Sequence, residues 1–296
     1  MDLDSFLVAV YVMIDDWWQA HGAAAPRGPG RPATLSMSEV LTLAVVAQWP
    51  RWRSERDFWR FARAHLRAYF PTLGSQSQFN RRVRAAERAL RALHDGLAAQ
   101  LASPRSVYHV LDTTLIPAIV RVRACRHGLF AGQATFGRCV SKTEWVYGFK
   151  VALCVTPAGV ITAFGLAAAA CDERPIGDAL IAADRHPAYL ADKGYASLPW
   201  EQHWHDTYGA LVAATPTVTM RRAWPEATCR WAAGHRQIVE QVIAQLKDLF
   251  ALERHRAKTL GGLLARLAAK VVAFTAGEWL NLHLGRPLRH LADLLV

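Results

Sequence analysis

Residues 145–164 read WVYGFKVALCVTPAGVITAF, and this stretch decides the fold. Two apolar runs rich in aromatic and β-branched residues flank Thr156-Pro157-Ala158-Gly159, a turn composition. The pattern predicts two strands, over 145–156 and 159–169, joined by a tight turn. Upstream, SVYHVLD (106–112) is a further strand-like run that ends on a carboxylate. Downstream, RPIGDALIAAD (174–184) reads as a helix, AYLAD (188–192) as a strand, LPWEQHWHDTY (198–208) as a helix and GALVAAT (209–215) as a strand. Helices over roughly 235–252 and 260–284 complete the chain. The order βββ-α-β-α-β-α predicts an α/β fold with a sheet flanked by helices.

The first 104 residues have a different texture and read as all-helical. Residues 3–20 have helical spacing, and a Gly/Pro-rich stretch, 22–33, separates them from the next helix. Ser36 with Glu39 three residues later is a capping-box signature. A helix is expected over 54–70, stopped by Pro71, and another from about Gln78 to Leu101, capped by Ser77. In the first of these, Arg53, Arg56, Arg60, Arg63 and Arg67 fall on one face; in the second, Arg81, Arg84, Arg88 and Arg91 do the same. Each helix also has an apolar seam on another face, with Trp52, Trp59 and Tyr69 read as core. Few acids interleave with the arginines. Like charges one turn apart repel, and phosphate is the natural counter-charge.

Composition agrees. The chain has 296 residues, enough for one large domain or two, and a formal net charge of +11, which points to a polyanionic partner. Five cysteines without a C-x-x-C pair argue against a disulfide framework or a zinc ribbon and read as reduced thiols of an intracellular protein. The N-terminal apolar run lacks the basic flank of a signal peptide. The apolar segment 263–284 carries Arg266, Lys270 and Glu278, so it reads as a packed helix and not as a membrane span. Residues 115–145 form a long connection carrying Arg121, Arg123, Arg126, His127, Arg138 and Lys142, and read as either a surface loop or a functional segment that contacts the polyanion.

Two carboxylates sit at the ends of strand-like runs, Asp112 in VLDTT and Asp192 in LADKGY. Groups at the carboxyl ends of strands face the crevice where α/β sheets bind ligands. A third, Glu240, lies in RQIVEQVIAQLKDLF with Arg236 and Lys247 on the same helix face. Singly, each has an ordinary explanation: a turn start for the aspartates, an ion pair with Arg236 for the glutamate. Together, three carboxylates can hold two divalent ions for phosphoryl transfer.

These residues resemble the DDE-type transposases of bacterial insertion sequences, whose catalytic core is ribonuclease-H-like. The resemblance runs from about 106 to 284 through VLDTT, the 145–164 stretch, DERPIGDAL, LADKGY and the arginine–glutamate–lysine helix. It implies a ribonuclease-H-like mixed sheet with flanking helices over 105–296, C-terminal helix included, preceded by a helical DNA-binding and assembly domain over 1–104. It implies Asp112, Asp192 and Glu240 as catalytic residues and ligands of two Mg²⁺ ions, with Mn²⁺ as a substitute. DNA contacts are expected at Arg236, Lys247, Lys193, Tyr195, Lys150, Arg56, Arg60, Arg63, Arg84 and Arg88. A tyrosine that often precedes the arginine by three residues in such enzymes is Ala233 here. The implied activity is cleavage at the ends of an insertion sequence and joining of the 3′-ends to target DNA. The implied partners are terminal inverted repeats and target duplex bound by a homodimer in the bacterial cytoplasm, with no membrane. A metal-dependent nuclease without strand transfer, and a non-catalytic DNA-binding protein, are the alternatives.

Overall fold

A computed structural model describes residues 1–22, 34–52, 54–102, 106–124, 126, 128–139, 143–216 and 223–295. The chain forms two compact units. One comprises Met1–Leu97, Asp248–His255 and Gly261–Val296; the other comprises Ala98–Lys247 and Arg256–Leu260. This differs from the expected division at 104/105, because the last helix, placed by sequence with the catalytic part, belongs to the helical unit.

In the helical unit, α1 (Leu3–His21) is capped by Asp2, and α2 (Met37–Val46) carries the Ser36/Glu39 capping box expected from sequence. Ser54 caps α3 (Glu55–His65). The expected single helix over 78–101 is two, α4 (Gln76–Ala85) and α5 (Glu87–Leu101). At the break the Ala86 amide is shared between the Arg82 and Val83 carbonyls, the tightened geometry of a helix end. The cap is Ser75, paired with Gln78, and not Ser77. Trp52 and Trp59 are buried as expected, with Trp59 stacked on Phe79, whereas Tyr69 is exposed. Arg56, Arg60, Arg63, Arg67, Arg81, Arg84 and Arg88 are all exposed; Arg91 pairs with Glu87, and Arg53 lies outside the described residues.

Among the described residues, the sheet unit holds six strands. They are β1 (His109–Pro117), β2 (Thr135–Cys139), β3 (Glu144–Val155), β4 (Ile161–Ala168), β5 (Ala188–Ala191) and β6 (Leu211–Ala214). The order is β2-β3-β1-β5-β6, with β4 also on β3. β1, β5 and β6 run parallel; β3 is antiparallel to β1, β2 and β4. One edge of β3 is shared end to end: Glu144–Gly148 pairs with β2 and Phe149–Val155 with β4. The β3–β4 hairpin closes through Gly159, whose φ of 98° suits glycine. The connection read as one long loop thus contains β2 and a short helix, α6 (Arg121–Ala124). His127 and Lys142 lie outside the described residues.

Helices α7 (Glu173–Asp184) and α8 (Leu198–Tyr208) contribute Ile176, Leu180, Ile181 and Trp204 to a core shared with Leu111, Ala152, Cys154 and Tyr189. Helix α9 (Glu226–Asp248) begins nine residues before the sequence-based start at 235, and of residues 226–234 only Ala232 is buried. That first part has no apolar stripe to read, and Thr228, Cys229 and Gly234 are weak helix formers. Helix α10 (Leu260–His283) is long and apolar enough to cross a membrane, but most of it is buried within the protein. It buries Lys270 and Glu278 along with its apolar residues, as a core helix.

Candidate active site

The last β1–β5 pair is Leu111 with Ala191. The next residue on each strand is an aspartate: Asp112 and Asp192. Neighbouring strands lie about 4.8 Å apart, so register alone sets two carboxylates side by side where β5 stops. Asp112 is not strand-terminal, as sequence suggested; β1 runs on to Pro117, held by β3. It is the parallel pairing that ends there.

Arg236 of α9 bridges the pair. Its Nη1 lies 3.3 Å from Asp192 Oδ1 and its Nη2 3.9 Å from Asp112 Oδ2. The guanidinium is largely buried, and its Nε has no hydrogen-bond partner among the described residues. Asp112 also accepts the Thr113 amide at 2.7 Å. Burial is the largest influence on the Asp112 carboxyl and pushes it up to about 7. The Thr113 amide and Arg236 pull the other way, while Asp192 and Glu173 add to the rise. Burial is thus the main reason that this carboxyl resists ionisation, ahead of its charged neighbours.

Glu240 lies one turn beyond Arg236 on α9, about 6 Å along the axis, and is exposed. Lys247 follows on the same face and is half-buried. Lys193 is exposed directly after Asp192. Tyr195 differs from expectation. Residues Lys193–Tyr195 form a single 3₁₀ turn and not a strand, so side chains do not alternate, and the phenol is wholly buried in the sheet core. It does not reach a DNA surface from there. Lys150 is turned inward, its ammonium donating to the Cys171 carbonyl at 2.9 Å and to Glu173 Oε1 at 3.2 Å.

Glu173 is the site residue that sequence reasoning missed. It opens α7, and its Oε1 also accepts the Thr113 hydroxyl at 2.9 Å. The only signal was its place in the DERPIGDAL motif, which names no partner.

An all-oxygen donor set of carboxylates suits a hard divalent cation such as Mg²⁺ or Mn²⁺. A second cluster has a different character. His109, Cys154 and Asp184 offer atoms within 4.8 Å of one another. His109 Nδ1 already meets Asp184 Oδ2 at 2.7 Å, and the ring stacks on His186 at 4.0 Å. Burial alone would raise Asp184, yet the His109 contact holds it below the ordinary carboxylate range. Histidine and aspartate satisfy each other, and the buried set serves as an internal tie between β1 and α7.

Residues 103–260, just over half of the chain, match the family model of the transposase DDE domain. No curated protein matches the sequence.

Proposed function

The chain belongs to the transposase DDE-domain family, and from that premise we propose that it cleaves DNA at the ends of an insertion sequence and joins the 3′-ends to target DNA. Members are enzymes of the transposase and nuclease type, act on DNA and generally use divalent metals. The strand order, with an antiparallel β4-β3-β1 half continued by parallel β5 and β6, supports reading the sheet unit as ribonuclease-H-like. The observation that carries the reading is the register that sets Asp112 and Asp192 side by side beneath Arg236.

In this reading Asp112, Asp192 and Glu240 hold two Mg²⁺ ions, with Mn²⁺ able to substitute. Such a pair supplies an activated water or 3′-hydroxyl and stabilises the leaving oxygen. Asp112 is fixed by the Thr113 amide and by β3, so little reorganisation remains at the site. Arg236 supplies positive charge between the carboxylates and keeps them from repelling each other. Glu240, on the same helix face, approaches from solvent, where a scissile phosphate arrives. Lys193 and Lys247 flank that approach and bind the DNA backbone. Lys150 acts through Glu173 and not on DNA.

The exposed ridge of Arg56, Arg60 and Arg63, together with Arg84 and Arg88, binds duplex phosphates of the terminal repeats and target. Joining two ends calls for two active sites, hence a homodimer on DNA, working at the bacterial nucleoid in the cytoplasm.

The test is an assay with labelled element-end duplexes, a target plasmid and Mg²⁺. Cleaved ends covalently joined to target, absent with Asp192→Asn, support the proposal. Cleavage without joining reduces the enzyme to a nuclease. Binding without cation-dependent cleavage overturns the catalytic reading.

A further inference from the structure

Glu173 makes three contacts that converge on the segments carrying the two aspartates. Its Oε1 accepts the hydroxyl of Thr113, the residue whose amide holds Asp112. The same oxygen accepts the Lys150 ammonium from β3. Its other oxygen, Oε2, lies against Gly194, two residues after Asp192; a β-carbon added at Gly194 would overlap it. Gly194 has no left-handed φ, so the backbone does not call for glycine there. Space for the Glu173 carboxylate does. Lys150 also donates to the Cys171 carbonyl and so secures the chain just before Glu173. Asp172 caps α7, and the start of a helix favours a carboxylate.

We propose that Glu173 is a positioning residue for the two-aspartate site, tying the Asp112 and Asp192 segments to each other and to Lys150; this rests on the aspartates being the cation-binding pair. Sheet pairing holds Asp112 on one flank, opposite Leu153 of β3. Asp192 has no such support, because β5 ends at Ala191. The Glu173 carboxylate is the tether that the missing strand pairs would otherwise provide. Groups behind the ligands of a metal site set their spacing, and their loss commonly costs about 10- to 100-fold in affinity or activity.

Gly194→Ala supplies a direct probe. The atom it displaces is the far end of a flexible side chain, so the fold can absorb the methyl group by moving the carboxylate off Thr113 and Lys150. Mn²⁺ binding to the full-length protein without DNA, thermal melting, and end cleavage are measured for wild type, Glu173→Gln, Glu173→Ala, Gly194→Ala and the Glu173→Ala/Gly194→Ala pair. Expected is about tenfold weaker Mn²⁺ binding in Glu173→Ala and in Gly194→Ala, with no further loss when the two are combined. Glu173→Gln keeps the Thr113 contact but lacks the charge that holds Lys150. It is expected to melt close to wild type while its Mn²⁺ midpoint rises. Equal losses from Gly194→Ala in both backgrounds, or wild-type Mn²⁺ binding by Glu173→Gln, overturn the tether. Asp112→Asn separates the two levels. If it binds Mn²⁺ and cleaves like wild type, the site reading itself falls; if it is inactive while the Glu173 variants behave as wild type, only the tether falls.

Discussion

Both units bury ionisable groups, and they do so in opposite ways. In the sheet unit the charged groups come from separate segments: Arg236 pairs with Asp112 and Asp192, and Glu173 pairs with Lys150 and reaches Asp112 through Thr113. In the helical unit, Lys270 and Glu278 lie on one helix. Lys270 is tied to the Phe250 carbonyl, and both Glu278 carboxylate oxygens lack a hydrogen-bond partner. Burial raises the Asp112 carboxyl to about 7 and raises the Glu278 carboxyl as well. A displaced acid is therefore no mark of an active site. Convergence of oppositely charged groups from several strands and helices is the mark.

The largest expected effect breaks that comparison if it fails. Asp112→Asn, Asp192→Asn and Glu240→Gln should each lower cation-dependent cleavage by on the order of 10³-fold or more, while duplex binding persists. Glu278→Gln should leave cleavage unchanged. A gel assay with end duplexes decides it. Equal losses from Glu278→Gln and Asp112→Asn would mean that burial, not convergence, is what activity tracks.

The next effect concerns stability. Burial pulls the Lys270 ammonium from the ordinary 10.5 down to about 8. The unfolded chain holds that proton more tightly, so the contribution is present above pH 10.5 and lost as pH falls through about 8. The full penalty at neutral pH is on the order of 3 kcal/mol. Lys270→Met removes it but leaves the Phe250 carbonyl without its donor, which returns about 1 kcal/mol. Urea unfolding at pH 7 should show the variant more stable by about 2 kcal/mol, with the advantage shrinking toward pH 10. Glu278 has the opposite sign: its raised carboxyl favours the fold below the ordinary glutamate range, and that contribution is lost as pH rises. No comparable gain is expected from neutralising Arg236, whose charge answers two aspartates.

Sequence showed most of the sheet unit because its signals are local. The β3–β4 hairpin has its turn and its apolar runs within some twenty residues, and the aspartates stand where apolar runs stop. What escaped depends on distant chain. β2 pairs with the end of β3, Glu144–Gly148, of which only Gly148 also pairs with β1. Glu173 acquires its role from Thr113 and Lys150, 60 and 23 residues away. Tyr195, expected at the DNA, lies in the core, where the chain makes a 3₁₀ turn directly after Asp192. The exposure of Arg56, Arg60 and Arg63, by contrast, is legible, since helical period alone brings them to one face, although α3 ends before Arg67. Replacing all three with alanine should flatten the dependence of log K on log salt by about 2.7, or roughly 0.9 per phosphate contact. An unchanged slope would leave the ridge as a solvated face and place the duplex contacts elsewhere.

The smallest effect sharpens the comparison at the level of a single hydroxyl. Composition offered Ser77 as the helix cap, yet Ser75 Oγ accepts the Gln78 amide, and the Gln78 side chain reaches back to the Ser75 amide. Two of the helix's unsatisfied donors are answered reciprocally, an arrangement that Ser77 cannot make from inside the first turn. Ser75→Ala should therefore cost about 1 kcal/mol of stability, and Ser77→Ala less than about 0.5 kcal/mol. Helix α4 carries Arg81 and Arg84, so a frayed first turn also loosens the base of that exposed surface. Ser75→Ala is expected to weaken duplex binding by a factor of a few, without changing cleavage per bound duplex. That split is what the proposed function requires, with duplex binding on the helical unit and chemistry at the aspartates of the sheet unit. If Ser75→Ala lowered the cleavage rate of saturated enzyme as much as its affinity, the two units would not be separable in function.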